Sequence, residues 1–150
     1  MTDKLKEKEE FRYAPIGVFD SGVGGLTVAR EIMRQIPKER IIYFGDTARV
    51  PYGSKSKETI IRFSRQIIRF LQSKGVKAIV IACNTASALA LETVQPEFDI
   101  PILGVVKAGA KEAAKVTKNG KIGVIAVYEI NHPVLNKRPE RFLFLLGTDR

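Results

Sequence analysis

The residues of this chain best suited to chemistry each stand where an apolar run ends. Cys83 is the only cysteine among 150 residues. It follows Ile79-Val80-Ile81-Ala82, which reads as the end of a buried parallel strand, and it stands ahead of Ala86 to Leu91, which read as the opening of a helix. A thiol at such a junction lies near unpaired backbone N–H groups and the positive end of a helix dipole, a physical route to a usable thiolate. The same position also suits a small buried hydrophobe that merely closes a strand. Two further clusters have the same placement. Asp20-Ser21 follows Ile16-Gly17-Val18-Phe19 and opens the glycine-rich turn Gly22-Val23-Gly24-Gly25, and Asp46 follows Ile41-Ile42-Tyr43-Phe44-Gly45 ahead of Pro51-Tyr52-Gly53.

The elements that must hold these groups alternate. Helical spacing runs over 26–36, and a longer helix over 57–73 has one broad apolar face, with Arg62, Arg65 and Arg69 on another. Gly75 caps that helix. The third strand spans 76–82, a helix runs on to about Val94, and a fourth strand covers 102–106. A helix over 108–116, a turn at Asn119-Gly120 and a strand over 121–127 follow. Strictly alternating short β-branched strands and helices predict an α/β fold, a parallel sheet with helices on both faces in flavodoxin-like βαβ repeats. Ligands of such sheets bind outside the carboxyl ends of the strands, where all three polar clusters fall.

Composition excludes several classes. A 45% hydrophobic and 27% charged chain is that of a soluble globular protein. One cysteine allows no internal disulfide and no four-cysteine zinc site. No secretory h-region and no membrane-length apolar run are visible, so a cytoplasmic location is expected. The net charge of +9 lies almost entirely within 16–126. It suits anionic small molecules as well as nucleic acid. Arg62, Arg65 and Arg69 lack interleaved aromatics for base stacking and read as a solvated helix face, so neither a nucleic-acid nor a membrane partner is expected. Gly22-x-Gly24 is an incomplete dinucleotide fingerprint, with Thr27 at the third glycine position and Asp20 placed to repel a pyrophosphate. His132, before a proline in an irregular stretch, reads as a surface histidine.

Three motifs in register carry a resemblance. Asp20-Ser21-Gly22-Val23-Gly24-Gly25-Leu26-Thr27, the pair Gly45-Asp46-Thr47 and Pro51-Tyr52-Gly53, and Ala82-Cys83-Asn84-Thr85-Ala86 resemble the N-terminal half of glutamate racemase, a cofactor-independent amino-acid racemase that supplies D-glutamate to peptidoglycan. Gly104-Val105-Val106 and Lys121 to Ala126 extend the likeness to about 16–126. The resemblance implies a two-domain isomerase with glutamate as substrate, no cofactor, no metal and a possible homodimer. Two cysteines, one from each α/β domain, move protons on opposite faces of Cα, and Cys83 is the first of the pair. The resemblance also implies substrate-binding roles for Asp20, Ser21, Tyr52, Gly53, Asn84 and Thr85. Asp20 and Ser21 orient the substrate ammonium and the thiol, and the other four hold carboxylate groups through side-chain and backbone donors.

The expected organisation is a mobile leader over 1–15, a first α/β domain over 16–106 without its return segment, the start of a second domain over 107–126, and an irregular tail over 127–150. The second cysteine of the family is absent from these residues, and the likeness stops after Ala126. That pattern suggests a truncated or frame-shifted gene, in which the chain alone is not a competent racemase. The alternatives are a one-cysteine relative acting as a decarboxylase or isomerase, and a non-catalytic fragment that binds an intact subunit.

Overall fold

Strands rich in β-branched residues pair side by side because both of their faces can be covered by helices. The computed structural model describes residues 11–127 and 142–147, with side chains through Val124. β1 (Ile16–Asp20), β2 (Ile41–Gly45), β3 (Ala78–Ile81) and β4 (Ile102–Gly104) form one parallel sheet in the order β2-β1-β3-β4. Ile16 of β1 is level with Ile41 on one side and Ala78 on the other.

Helices cover both faces. α1 (Leu26–Gln35) buries Ala29 against Val18 and Ala82. α2 (Lys57–Gln72) buries Ile60, Ile67, Ile68 and Leu71 against Phe19, Ile79 and Ile81, whose side chains point the other way. The same face carries α3 (Asn84–Leu89) and α4 (Leu91–Val94), which part at Ala90 where one continuous helix was expected. Ser56 caps α2 by accepting from the Thr59 N–H, and Gly75 ends it with φ +71°.

Starting from β1, one crossover leads outward to β2 and the next returns past β1 to β3. With crossovers of one hand, this reversal puts α1 and α2 on opposite faces and leaves the carboxyl ends of β1 and β3 without a covering connection.

The strand expected over 102–106 stops at Gly104, and α5 (Val105–Val116) begins at once. β5 (Ile122–Val127) pairs in parallel with β6 (Phe142–Gly147), a strand the sequence reading did not assign within the stretch taken as a tail. Part of the expected leader is attached. Lys77 donates from Nζ to the Arg12 carbonyl at 2.8 Å and from its backbone N–H to the Pro15 carbonyl at 2.9 Å. Residues 1–10 and His132 lie outside the described residues. Among the described residues no helix is long and apolar enough to cross a membrane.

Candidate active site

The gap between the carboxyl ends of β1 and β3 opens into a cavity of about 720 Å³. Asp20, Ser21, Cys83, Asn84 and Thr85 line it, with Val50 on one side and Val105 and Gly109 of α5 on another. Five of the seven residues singled out from sequence are therefore brought together. Tyr52 and Gly53 are not among the lining residues.

Each lining group is set by its local backbone. Cys83 is the N-cap of α3, buried, with its Sγ accepting from the Ala86 N–H at 3.5 Å. The Cys83 thiol donates to Ser21 Oγ at 3.4 Å, so the first and third strand ends meet through these two side chains. The helix was expected to open at Ala86. It opens two residues earlier, which makes Cys83 its cap instead of a residue in the approach to it.

Asp20 is buried and organises the glycine turn. Its Oδ2 accepts from the Gly22 N–H at 3.2 Å and the Gly25 N–H at 2.9 Å. The turn can close this tightly only because Gly25 has no side chain. A Cβ there would lie 2.6 Å from Asp20 Cβ and 2.8 Å from Ala82 Cβ.

Asp46 takes the Tyr52 hydroxyl that was expected to hold a substrate carboxylate. Tyr52 is buried and donates its O–H to Asp46 Oδ2. Arg49 Nε lies 2.7 and 2.9 Å from the two Asp46 oxygens, and its guanidinium stacks 4.1 Å from the centre of the Phe63 ring. Burial first, and then the Asp46 hydrogen bond, push the Tyr52 hydroxyl well above the usual phenol range. Tyr52 therefore stays neutral and braces the loop that carries Val50 to the cavity rim.

Two residues missed in the sequence complete the frame. Tyr43 donates its O–H to the Gly22 carbonyl at 3.1 Å. Ser87 donates to the Ile81 carbonyl at 2.9 Å and accepts from the Val105 N–H at 3.2 Å, which joins the thiol-bearing strand end to the start of α5. A buried hydroxyl among the alanines of a short helix was the available signal for Ser87. Tyr43 gave none, since it sits in an apolar strand run.

The arginines of α2 behave as a helix face. Arg65 grips Glu97 at 2.6 Å, and the Arg62 guanidinium lies 5.4 Å from the centre of the Phe63 ring. Among the described residues no cluster of metal-ligating side chains occurs.

A parallel sheet whose switch point holds a capped thiol, a hydroxyl partner and an aspartate defines a class. The family model for Asp/Glu/hydantoin racemases matches residues 16–143, and the chain belongs to that family. Its similarity to individual members is high. The glutamate racemase of Lactococcus lactis subsp. cremoris (strain MG1363) is 61% identical over 112 residues, 75% of this chain and 41% of that protein. The glutamate racemase of Persephonella marina is 61% identical over 110 residues, 73% of this chain and 42% of that protein. Among solved structures, glutamate racemase from Aquifex pyrophilus superposes with a TM-score of 0.77 at 45% identity, covering 88% of this chain and 54% of that one. Glutamate racemase from Francisella tularensis in complex with D-glutamate gives 0.74 at 41% identity, covering 89% and 53%. The chain thus spans about two fifths of the length of these curated relatives and about half of the solved chains.

Proposed function

We propose that this chain supplies the first acid–base thiol of a cofactor-independent glutamate racemase, serving D-glutamate formation for peptidoglycan in the cytoplasm. The observation that carries the reading is Cys83 capping α3 beside Ser21 at the switch-point cavity. In this mechanism the Cys83 thiolate takes the Cα proton of glutamate on one face. A second thiol, from the other domain, gives a proton to the opposite face of the resulting carbanion. Running the exchange in reverse returns the first enantiomer and restores the Cys83 thiolate and the second thiol. The Ala86 N–H and the Ser21 hydroxyl are the donors that stabilise the sulfur anion between transfers.

Glutamate is held around that sulfur. One Asp20 oxygen is fixed by the glycine turn, and the carboxylate accepts from the substrate ammonium. Asn84 and Thr85, at the first turn of α3, donate to a substrate carboxylate. Gly53, just past the Asp46-braced Tyr52, contributes at most backbone donors. The domain division follows the same reading: residues 16–106 form the first domain and a second begins near 107, a division that the separate β5–β6 pair supports. A homodimer fits the reading equally well and is tested by mass in solution.

These 150 residues hold one of the two thiols. A polypeptide of just these residues therefore binds glutamate without racemising it. Glutamate is expected to slow alkylation of Cys83, and D-glutamate formation from L-glutamate is expected to stay at background. Absence of protection overturns the binding reading. Turnover abolished by Cys83→Ser overturns the one-thiol reading.

A further inference from the structure

The glycine turn that brings Ser21 to the thiol has its own support, and that support comes from β2. Tyr43 lies on the α1 side of the sheet, in register with Val18 of β1, and reaches past the end of β1. Its hydroxyl meets the Gly22 carbonyl at 3.1 Å. The same carbonyl rests on Gly45, where a Cβ would lie 2.6 Å from the oxygen. Tyr43 also fills the space beside Gly25, with its hydroxyl 3.1 Å from where a Cβ would stand. The Gly22 peptide is thus seated between one donor and one bare backbone, a single residue from Ser21.

We propose that Tyr43 is a positioning residue that seats the Gly22 peptide and thereby holds the Ser21 hydroxyl on Cys83. The proposal rests on Cys83 being the reactive thiol of the site. As a thiol, Cys83 donates to Ser21 Oγ. Once ionised, the sulfur can only accept, and the Ser21 O–H must turn to donate to it. A hydroxyl free to wander with its turn serves that second role poorly. Tyr43 keeps it in range. Burial, followed by the negative charges of Asp20 and an ionised Cys83, raises the Tyr43 hydroxyl above its ordinary range, so it remains a donor throughout the working pH.

The test is the pH profile of Cys83 alkylation by iodoacetamide in the full 150-residue chain. Tyr43→Phe keeps the ring and removes one oxygen. It is expected to move the profile to higher pH and to slow alkylation at pH 7 about threefold to tenfold, the range expected for one lost hydrogen bond. Ser21→Ala should give a like displacement, and the double variant should add nothing further, because both changes remove the same contact. Gly45→Ala displaces the Gly22 carbonyl from its other side and should give the same signature. Melting followed by circular dichroism separates packing from positioning. An unmoved profile with a lowered melting temperature, or additive displacements in the double variant, overturns the proposal. A parent chain that reacts no faster than a free cysteine peptide overturns the acid–base reading of Cys83 instead, while the displacement between variants still decides the role of Tyr43.

Discussion

Residues 16–102 and residues 103–124 are built from similar sequence and end in different physical states. In the first stretch helices lie on both faces of the sheet, and Val18, Phe19, Ile79, Ile81 and Ile102 of its inner strands and β4 are 0–1% exposed. From Leu103 through Val124 no residue is buried, although α5 carries valines and alanines at helical spacing. Leu103 is 60% exposed and Val116 68% exposed. Apolar periodicity states which face an element can bury, and only a partner decides whether it does. A two-stranded pair such as β5–β6 offers little of its own to pack against.

That contrast predicts its largest effect in hydrogen exchange. Amides of Val18, Ile79 and Ile81 are expected to exchange about a thousandfold or more slowly than those of Ile122 to Val124, since the first set opens only with the core. Equal protection across both stretches would break the comparison.

A pair of glycines sharpens it at the level of single side chains. Gly25→Ala places a Cβ 2.6 Å from Asp20 Cβ and should cost about 1–3 kcal/mol in urea unfolding. Gly109→Ala on α5 meets nothing within 4 Å and should stabilise by about 0.5–1 kcal/mol through its helix propensity. A loss at Gly109 as large as that at Gly25 would mean that α5 is packed after all.

The smallest effect is in alkaline pH. The Tyr52 hydroxyl is raised by burial and then by Asp46, so the folded chain holds this proton longer than the unfolded chain does. The associated stability is complete below the ordinary tyrosine range near pH ~10 and declines as pH rises beyond it. Tyr52→Phe should therefore be less stable near neutrality and show a shallower alkaline decline than the parent, as followed by melting against pH. No equivalent decline should come from α5, which buries no titratable group.

Much of the frame was legible because strand-end placement is a local property. Asp20, Ser21, Cys83, Asn84 and Thr85 each follow a β-branched run, and the parallel sheet gathers such ends by construction. What escaped the sequence depends on distant partners. Val105-Val106 reads as strand from its side chains, yet it starts a helix because Ser87 accepts the Val105 N–H and Gly104 lies tight against Leu91 and Ser87. Tyr52 sits in a motif that reads as an ordered loop, and the buried Asp46 six residues earlier claims its hydroxyl. β6 could not be assigned from spacing, since its partner β5 ends well before it in the chain and parallel pairing leaves no hairpin signature. Tyr43 was hidden for the opposite reason: an aromatic in a strand is what any sheet would select.

Ser87 has a mechanical consequence. One buried oxygen is bonded both to the last residue of the thiol's strand and to the first amide of α5. A single side chain thus ties the end of the thiol's strand to the start of α5. Val105 and Gly109 both line the cavity, so the oxygen that holds the thiol's strand also holds the first residue of that wall.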